Sequence, residues 1–153
     1  MPQALAPALG AFALLSVVLA VVDARTRRLP DALLLPGGAG VLVLALGAAL
    51  VAGEPHRAVG VLGGAASSFL ACLILHLARP AAFGGGDVKL AALCGAALGW
   101  VGPEAVASGI AVGFVVGGVA ATGAVLAGAR SAAIAFGPFL LFGTWWRLLS
   151  GPW

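Results

Sequence analysis

The chain has 153 residues, of which 62% are hydrophobic and only 8% are charged. Soluble domains carry roughly a quarter charged residues, so this composition excludes an ordinary soluble enzyme and indicates an integral membrane protein. The formal net charge of +3 comes from basic residues that are too few and too scattered for a nucleic-acid-binding surface. We therefore expect a chain that lies in membrane lipid and has no nucleic-acid partner.

Long uncharged runs predict the transmembrane helices, because a helix needs about 20 apolar residues to cross a bilayer core. No Lys or Arg precedes the first run, which therefore resembles a retained span more than a secretory signal peptide. The fourth run is short for a crossing. In chain order the runs are Ala4–Val22, Ala32–Gly53, Ala58–Leu75, Leu90–Pro103, Ala105–Ala129 and Ser131–Trp146. The third span is expected to reach past His76 and the sixth to extend to about Leu149, and Val88 is an alternative start of the fourth. The prediction is an all-α membrane protein with about six transmembrane helices in one domain, residues 1–153.

The distribution of basic residues predicts the orientation of these helices, because Lys and Arg accumulate in cytoplasmic connectors. With six spans, the first, third and fifth connectors share one face and the second and fourth share the other with both termini. The first face receives six basic residues: Arg25, Arg27, Arg28, Arg79, Lys89 and Arg130. The opposite face receives Arg57 and Arg147. Both termini are therefore predicted outside the cell, and the connector before Lys89 inside.

Glycines recur at four-residue spacing in three of the runs. The series are Gly60 and Gly64, Gly95 and Gly99, and Gly109, Gly113 and Gly117. Small residues at this period allow helix backbones to approach closely in lipid. We expect these glycines to pack helices and to have no chemical role.

Three of the five acidic residues, Asp23, Asp31 and Asp87, lie on the predicted cytoplasmic side, and Glu54 and Glu104 lie on the other face. Asp23 ends the first span and Asp87 opens the fourth, so two crossings separate them and both side chains reach the same face. Two neighbouring carboxylates can share one proton, as in aspartic proteases. Simpler roles are an ion pair between Asp23 and the nearby arginines, and stabilisation of a helix N-terminus by Asp87. Asp31 follows Pro30 directly and precedes an apolar run, which favours helix capping.

Helix dipoles give a further expectation about this pair of acids. The C-terminal end of a helix disfavours the charged form of Asp23, whereas an N-terminal end lowers the pKa of Asp87. The shared proton is therefore expected more often on Asp23.

Other reaction classes lack their residues in this sequence. The segment Gly84–Lys89 does not match a phosphate-binding loop, which requires GxxxxGK followed by Ser or Thr, and no HExxH zinc motif is present. No serine has the flanking glycines of a nucleophile elbow. Cys72 and Cys94 lie within apolar runs and form no metal-binding pattern with the histidines, which indicates small buried residues.

Three segments together resemble the type IV prepilin peptidases, a family of GxGD-type membrane aspartic proteases. Gly84-Gly85-Gly86-Asp87-Val88-Lys89-Leu90 is similar to the GxGDxKL motif of the family. Asp23 followed by Leu29-Pro30-Asp31 resembles its first motif, although Asp31 stands where Asn is usual and Leu29 where Ile is common. Phe136-Gly137-Pro138-Phe139 resembles the FGPF segment near the C-terminus of family members.

The resemblance implies an endopeptidase that removes the short basic leader of a type IV pilin-like precursor at the cytoplasmic face. Asp23 and Asp87 would be the catalytic residues that activate a water, without a metal or other cofactor. Gly84, Gly85 and Gly86 would let the backbone approach an extended substrate. The predicted cytoplasmic face is itself basic, and Lys89 or an arginine is a candidate to meet an acidic group of the mature pilin segment. Pro30 and Asp31 complete the first motif.

The resemblance also implies a short form of the family without methyltransferase activity. Longer members carry a cytoplasmic region with paired cysteines, whereas the first run here begins near Ala4 and no connector contains cysteine. Two alternatives from other classes stay open. Two acids and helix-breaking glycines also suit a proton- or cation-coupled transporter, and a non-catalytic subunit of a pilus or secretion assembly would use the acids structurally.

Overall fold

The computed structural model describes residues 3–80, 83–128 and 135–151, and in these ranges the fold is all-helical. A short 3₁₀ turn, Gln3–Leu5, leads into the first of six α-helices. The helices are α1 Ala6–Thr26, α2 Asp31–Val51, α3 Pro55–Ala78, α4 Gly85–Gly99, α5 Pro103–Leu126 and α6 Gly137–Ser150. The predicted number of helices and the predicted fold class are confirmed.

Proline and glycine set most of the boundaries between helices. Four helices, α1, α3, α5 and α6, have proline in the first or second position, where its missing N–H and fixed φ cost nothing. The connector between α4 and α5 contains Gly102 at φ 145°, a backbone conformation that residues other than glycine rarely adopt.

Four of the helices are long and apolar enough to cross a membrane: residues Gln3–Thr26, Asp31–Val51, Pro55–Ala78 and Pro103–Leu126. Their outward side chains include Val51, Leu77 and Leu126, which are 84%, 72% and 83% exposed. Exposed large apolar side chains on this scale suit contact with lipid. The chain is therefore a membrane protein.

The other two helices are shorter than a bilayer core. Helix α4 has 15 residues and α6 has 14, so each is about 21 to 23 Å long at 1.5 Å per residue, compared with about 30 Å for the hydrocarbon core. Helix α4 contacts α2, α3, α5 and α6, and nine of its residues are buried. It is the central helix of the bundle.

The glycine series pack helices, as predicted. A Cβ at Gly64 would clash with the carbonyl oxygen of Gly95, and one at Gly60 would clash with that of Gly99, so α3 and α4 are in backbone contact. A Cβ at Gly113 would lie 2.9 Å from the carbonyl oxygen of Phe139, which joins α5 to α6 in the same way. Close backbone approach is the packing mode expected for helices in lipid.

The starts of α4 and α6 differ from the starts of the uncharged runs. Asp87 was expected at the start of the fourth helix, and α4 begins two residues earlier, at Gly85, so its first turns include Asp87 and Lys89 although the uncharged run begins at Leu90. The sixth run was predicted from Ser131, which lies outside the described residues, and α6 begins at Gly137. The Gly-Pro pair at its start, rather than the hydropathy of the run, marks this boundary.

Candidate active site

Four chain segments meet at one end of the bundle: the end of α1, and the starts of α2, α4 and α6. A Cβ at Gly86 would lie 2.9 Å from Leu29 Cβ, which places the start of α4 against the segment before α2. A Cβ at Gly137 would lie 2.6 Å from Asp23 Oδ2, which places the start of α6 against the end of α1. All three segments that resemble family motifs therefore contribute to this end.

Asp23 lies in the last turns of α1, with 4% of its surface exposed. Its Oδ2 accepts a hydrogen bond of 3.0 Å from the backbone N–H of Gly137, the first residue of α6. In the described ranges Asp23 forms no ion pair with Arg25, Arg27 or Arg28, which are all exposed. The structure therefore does not hold Asp23 through an ion pair with these arginines.

Asp87 lies in the first turn of α4, outside the four helices of membrane length. Its Oδ2 accepts a hydrogen bond of 3.2 Å from the backbone N–H of Gly84, the residue before the helix. Burial raises the pKa of Asp87 to about 6, the negative charge of Asp23 adds to this, and the bond from Gly84 opposes it. The two carboxylates are therefore close enough to interact.

The raised pKa of Asp87 corrects one expectation from the sequence. The helix N-terminus was expected to lower this pKa, and the Gly84 N–H does act in that direction. Removal of the carboxylate from water has the larger effect, since burial penalises the charged form of an acid. The sequence shows the helix end but not how deeply the turn is buried.

Both hydrogen bonds to the acids come from a glycine that directly follows a phenylalanine. Phe83 comes directly before Gly84, and Phe136 directly before Gly137. The rings of Phe83 and Phe136 are packed edge to face with centroids 5.4 Å apart, and both contact the ring of Phe114 on α5. One aromatic cluster thus joins the two backbone segments that orient Asp23 and Asp87.

The glycines before Asp87 have contacts within the protein. The space beside Gly86 is occupied by Leu29, and a Cβ at Gly84 would lie 3.2 Å from Asp87 Oδ2. A Cβ at Gly85 would lie 4.0 Å from the ring of His76, an ordinary contact. Internal packing against Leu29 is therefore sufficient reason for a glycine at position 86, and the approach of a substrate to this turn stays a prediction.

The expected capping role of Asp31 is wrong. Pro30 is the N-cap residue of α2 and its carbonyl oxygen accepts the N–H groups of Leu33 and Leu34, while Asp31 is the first helical residue and makes no capping bond. Its carboxylate instead accepts two hydrogen bonds, of 2.7 and 2.6 Å, from Lys89 Nζ. Lys89 is therefore paired within the protein, across the junction of α2 and α4.

Sequence reasoning assigned no role to two residues at this end. Gly137 was recognised as part of a motif, but its N–H binds an acid 114 positions away in the sequence. The one local signal at this residue is the following proline, which indicates the start of a helix but not the partner of the N–H. His76 lies in the last turn of α3, and its Nδ1 lies 2.6 Å from the carbonyl oxygen of Phe83. No sequence pattern singles out this histidine.

The cysteines are buried, as predicted, in α3 and α4. Within the described residues, no three His, Cys, Asp or Glu side chains are arranged to hold a metal ion. What this end of the bundle offers chemically is a pair of interacting carboxylates, each oriented by a backbone N–H and neither joined to a cationic side chain in the described ranges. Such a pair can take a proton from one reacting group and give one to another.

Comparison with known proteins gives one match. The sequence model of the type IV leader peptidase family, a peptidase family, matches residues 10–126. The matched segment contains Asp23 and Asp87 and ends with α5, before the Phe136–Phe139 segment. No significant match was found among curated proteins or among solved structures.

Proposed function

Since the chain belongs to the type IV leader peptidase family, we propose that it is a membrane aspartic endopeptidase that uses Asp23 and Asp87 to activate a water. The observation that carries this proposal is the meeting of these two acids, 64 positions apart, at one end of the bundle, where the charge of one raises the pKa of the other. An acid-base pair in a peptidase family has an evident use in hydrolysis of a peptide bond.

In the proposed reaction, one carboxylate removes a proton from the water as it attacks the scissile carbonyl carbon. The other carboxyl group, protonated at the start, donates its proton to the carbonyl oxygen, and the departing amine then receives a proton from the pair. The raised pKa of Asp87, about 6, supports a pair that holds one proton up to about pH 6. Since the two acids titrate together, the proton belongs to the pair rather than to either residue alone.

The proposed substrate is the N-terminal region of a type IV pilin-like precursor. Such a chain has a short basic leader followed by an apolar helix that lies in lipid, so its cleavage site is at the membrane boundary. Asp23 lies near the end of a helix of membrane length, and Asp87 lies just before the apolar part of α4. This placement supports cleavage of a chain that enters the membrane directly after the leader.

The decisive experiment uses purified protein in liposomes with a synthetic precursor that carries a basic leader and an apolar helix. The wild-type protein should release the leader, and Asp87→Asn should lose the activity by about 10²- to 10⁴-fold, the usual contribution of an acid-base group. Glu54→Gln, at the other end of the bundle, is the matched control and should retain activity. A wild-type protein that leaves several such precursors intact would contradict the proposal, as would an active Asp87→Asn variant.

We also propose that the candidate site faces the cytoplasm. Five of the described basic residues lie at the site end of the bundle: Arg25, Arg27, Arg28, Arg79 and Lys89. Arg57 and Arg147 lie at the opposite end, so the asymmetry supports the site end as the inner one. Single cysteines in place of Thr26 and His56, in a background without Cys72 and Cys94, should react with impermeant reagents from opposite sides of the membrane.

The proposed enzyme cleaves without methylating its product. The cysteines of the chain are buried in α3 and α4, so they offer no exposed pair at the site end like the one associated with the methyltransferase region. Mature product formed in the presence of S-adenosylmethionine should therefore keep a free α-amine. Intact-mass measurement checks this, since a product heavier by one methyl group would show the proposal to be wrong.

A further inference from the structure

A side chain in the last turn of α3 contacts the Phe83–Gly84 segment that leads into α4. His76 is half-buried, and its Nδ1 lies 2.6 Å from the carbonyl oxygen of Phe83. A carbonyl oxygen accepts hydrogen bonds and cannot donate them, so Nδ1 carries the proton in this contact. The ring also lies over the first residue of α4, since a Cβ at Gly85 would be 4.0 Å from its Cε1 and Nε2 atoms.

The carbonyl group that His76 binds belongs to the peptide unit that binds Asp87. The C=O of Phe83 and the N–H of Gly84 are the two polar ends of one planar peptide group. The N–H end donates to Asp87 Oδ2 over 3.2 Å. A continuous hydrogen-bonded chain therefore runs from the imidazole of His76 through this peptide to the carboxylate of Asp87, and each bond in such a chain polarises the next.

Other bonds hold the neighbouring peptides: the N–H of Phe83 donates to the carbonyl oxygen of Arg79 over 3.1 Å, and the carbonyl oxygen of Gly84 accepts the N–H of Asp87 over 3.1 Å. Neither bond involves the C=O of Phe83 or the N–H of Gly84, which are the polar ends of the peptide between them. The ring of Phe83 is held by Phe114 and Phe136, but these contacts constrain the side chain rather than the plane of the peptide that follows it. Glycine at position 84 has no side chain that would restrict the plane. In the described residues, His76 is the one hydrogen-bonding partner of this peptide besides Asp87.

We propose that His76 is a positioning residue for Asp87, acting through the Phe83–Gly84 peptide. This inference rests on the proposed function, because it concerns the orientation of one of the two proposed catalytic acids. His76 itself does not touch the reacting atoms. Its imidazole fixes the peptide, the peptide fixes the carboxylate, and the carboxylate is thereby held towards Asp23.

Three substitutions separate the hydrogen bond from the bulk of the ring. His76→Asn keeps an N–H donor at the place of Nδ1, whereas His76→Gln moves the amide to the place of Nε2, and His76→Leu removes it. Asn and Gln are equally polar, so a difference between these two variants does not reflect a general loss of folding. His56→Leu, at the exposed start of α3, is the matched control.

In the liposome assay, His76→Asn should retain activity within about threefold of the wild type, because it keeps the hydrogen-bond donor. His56→Leu should do the same, because His56 lies at the other end of α3 and away from the site. His76→Gln and His76→Leu should lose about 10- to 100-fold, mainly in kcat, since a misplacement of about 1 Å can cost this much. Equal activity of all three His76 variants, whether high or low, would overturn the inference.

A second measurement does not depend on cleavage. The infrared band of the protonated Asp87 carboxyl, identified by its loss in Asp87→Asn, reports the pH at which this group titrates. Asp23 from α1 and Cys72 from α3 are the other titratable groups that act on Asp87 or feel its charge, and the His76 variants leave both in place. The midpoint should move to higher pH in His76→Leu and His76→Gln, because the Gly84 N–H no longer stabilises the anion, and should stay in place in His76→Asn.

The two measurements distinguish failure of the inference from failure of the proposed function. If the wild type cleaves no precursor but the midpoint moves as expected, the positioning contact is correct and the proposed function is wrong. If the wild type cleaves precursor but the midpoint and kcat are the same in His76→Leu and the wild type, the inference is wrong and the proposed function stands.

Discussion

The two ends of the bundle hold their acids in different ways. At the end opposite the candidate site, Glu54 is paired with Arg57, whose Nη1 also donates to the carbonyl oxygen of Trp100 over 3.0 Å. The guanidinium lies 5.2 Å from the centre of the Trp100 ring. At the site end, Asp23 and Asp87 each accept a backbone N–H and have no cationic partner in the described ranges.

The difference separates an acid that stabilises the fold from an acid that is free to exchange protons. A carboxylate beside a guanidinium stays charged, because its anionic form is matched by an opposite charge. A peptide N–H orients a carboxylate but brings no net charge, so the acid can still be protonated near physiological pH. The exposed Asp31–Lys89 pair beside the site belongs to the first kind, and it ties α2 to α4.

Among substitutions that keep both acids, the largest loss of cleavage is expected at Gly137, whose N–H binds Asp23. In Gly137→Ala the new Cβ would lie 2.6 Å from Asp23 Oδ2, which is closer than the atoms can approach, so the carboxylate must move. Cleavage of the precursor should fall by about 10- to 100-fold. Gly118→Ala is the control, because no atom lies within 4 Å of the added Cβ. Equal activity of both variants would show that the position of Asp23 is not critical.

A smaller effect is expected on stability as the pH changes. The pKa of Asp87 is about 6 in the folded protein and 3.8 ordinarily, so the folded state binds more protons between these values. The free energy of unfolding should therefore decrease as the pH rises from about 4 through 6 and then level off. Asp87→Asn should show a smaller decrease. Unfolding temperatures of the two proteins in detergent micelles, compared across this range, provide the test, and parallel curves would contradict the raised pKa.

The smallest effect is expected at the opposite end. Arg57→Leu removes the partner of Glu54, the donor to the Trp100 carbonyl and the cation over the ring, which should lower the free energy of unfolding by about 1 to 2 kcal/mol. Cleavage should be unchanged, since this end takes no part in the proposed reaction. Thermal unfolding and the liposome assay together check both statements, with His56→Leu as the neutral control. A loss of cleavage at normal stability would show that the two ends are not independent.

Much of the fold is predictable from the sequence because lipid imposes simple requirements on a helix. Uncharged runs identify all six helices, and glycine spacing identifies the closest contacts between them. The runs misplace the start of α4 because hydropathy treats Asp87 and Lys89 as the end of a connector, whereas the helix begins at Gly85. The same rule cannot show that α4 is buried at the centre of the bundle, since burial by protein and burial by lipid favour the same residues.

The candidate site is only partly predictable, for a different reason. Asp23 and Asp87 can be identified from the sequence because few acids occur in a chain this apolar and because both lie in segments that resemble family motifs. Their supports come from long-range contacts: Gly137 reaches Asp23 across 114 positions, and Asp31 meets Lys89 across 58. A local rule therefore assigned Asp31 to helix capping, and the dipole reasoning on the pKa of Asp87 left out the larger effect of burial.

The central claim is that Asp23 and Asp87 act as one unit, and a double-substitution experiment tests it most directly. Cleavage rates of the liposome-bound protein are measured for Asp23→Asn, for Asp87→Asn and for the variant with both substitutions. Residues that act together in one reaction step show strongly non-additive losses. Each single variant should therefore be about as inactive as the double variant, with all three still folded in the membrane. Substantial activity in one single variant, with losses that multiply in the double variant, would contradict a shared role in activating the water.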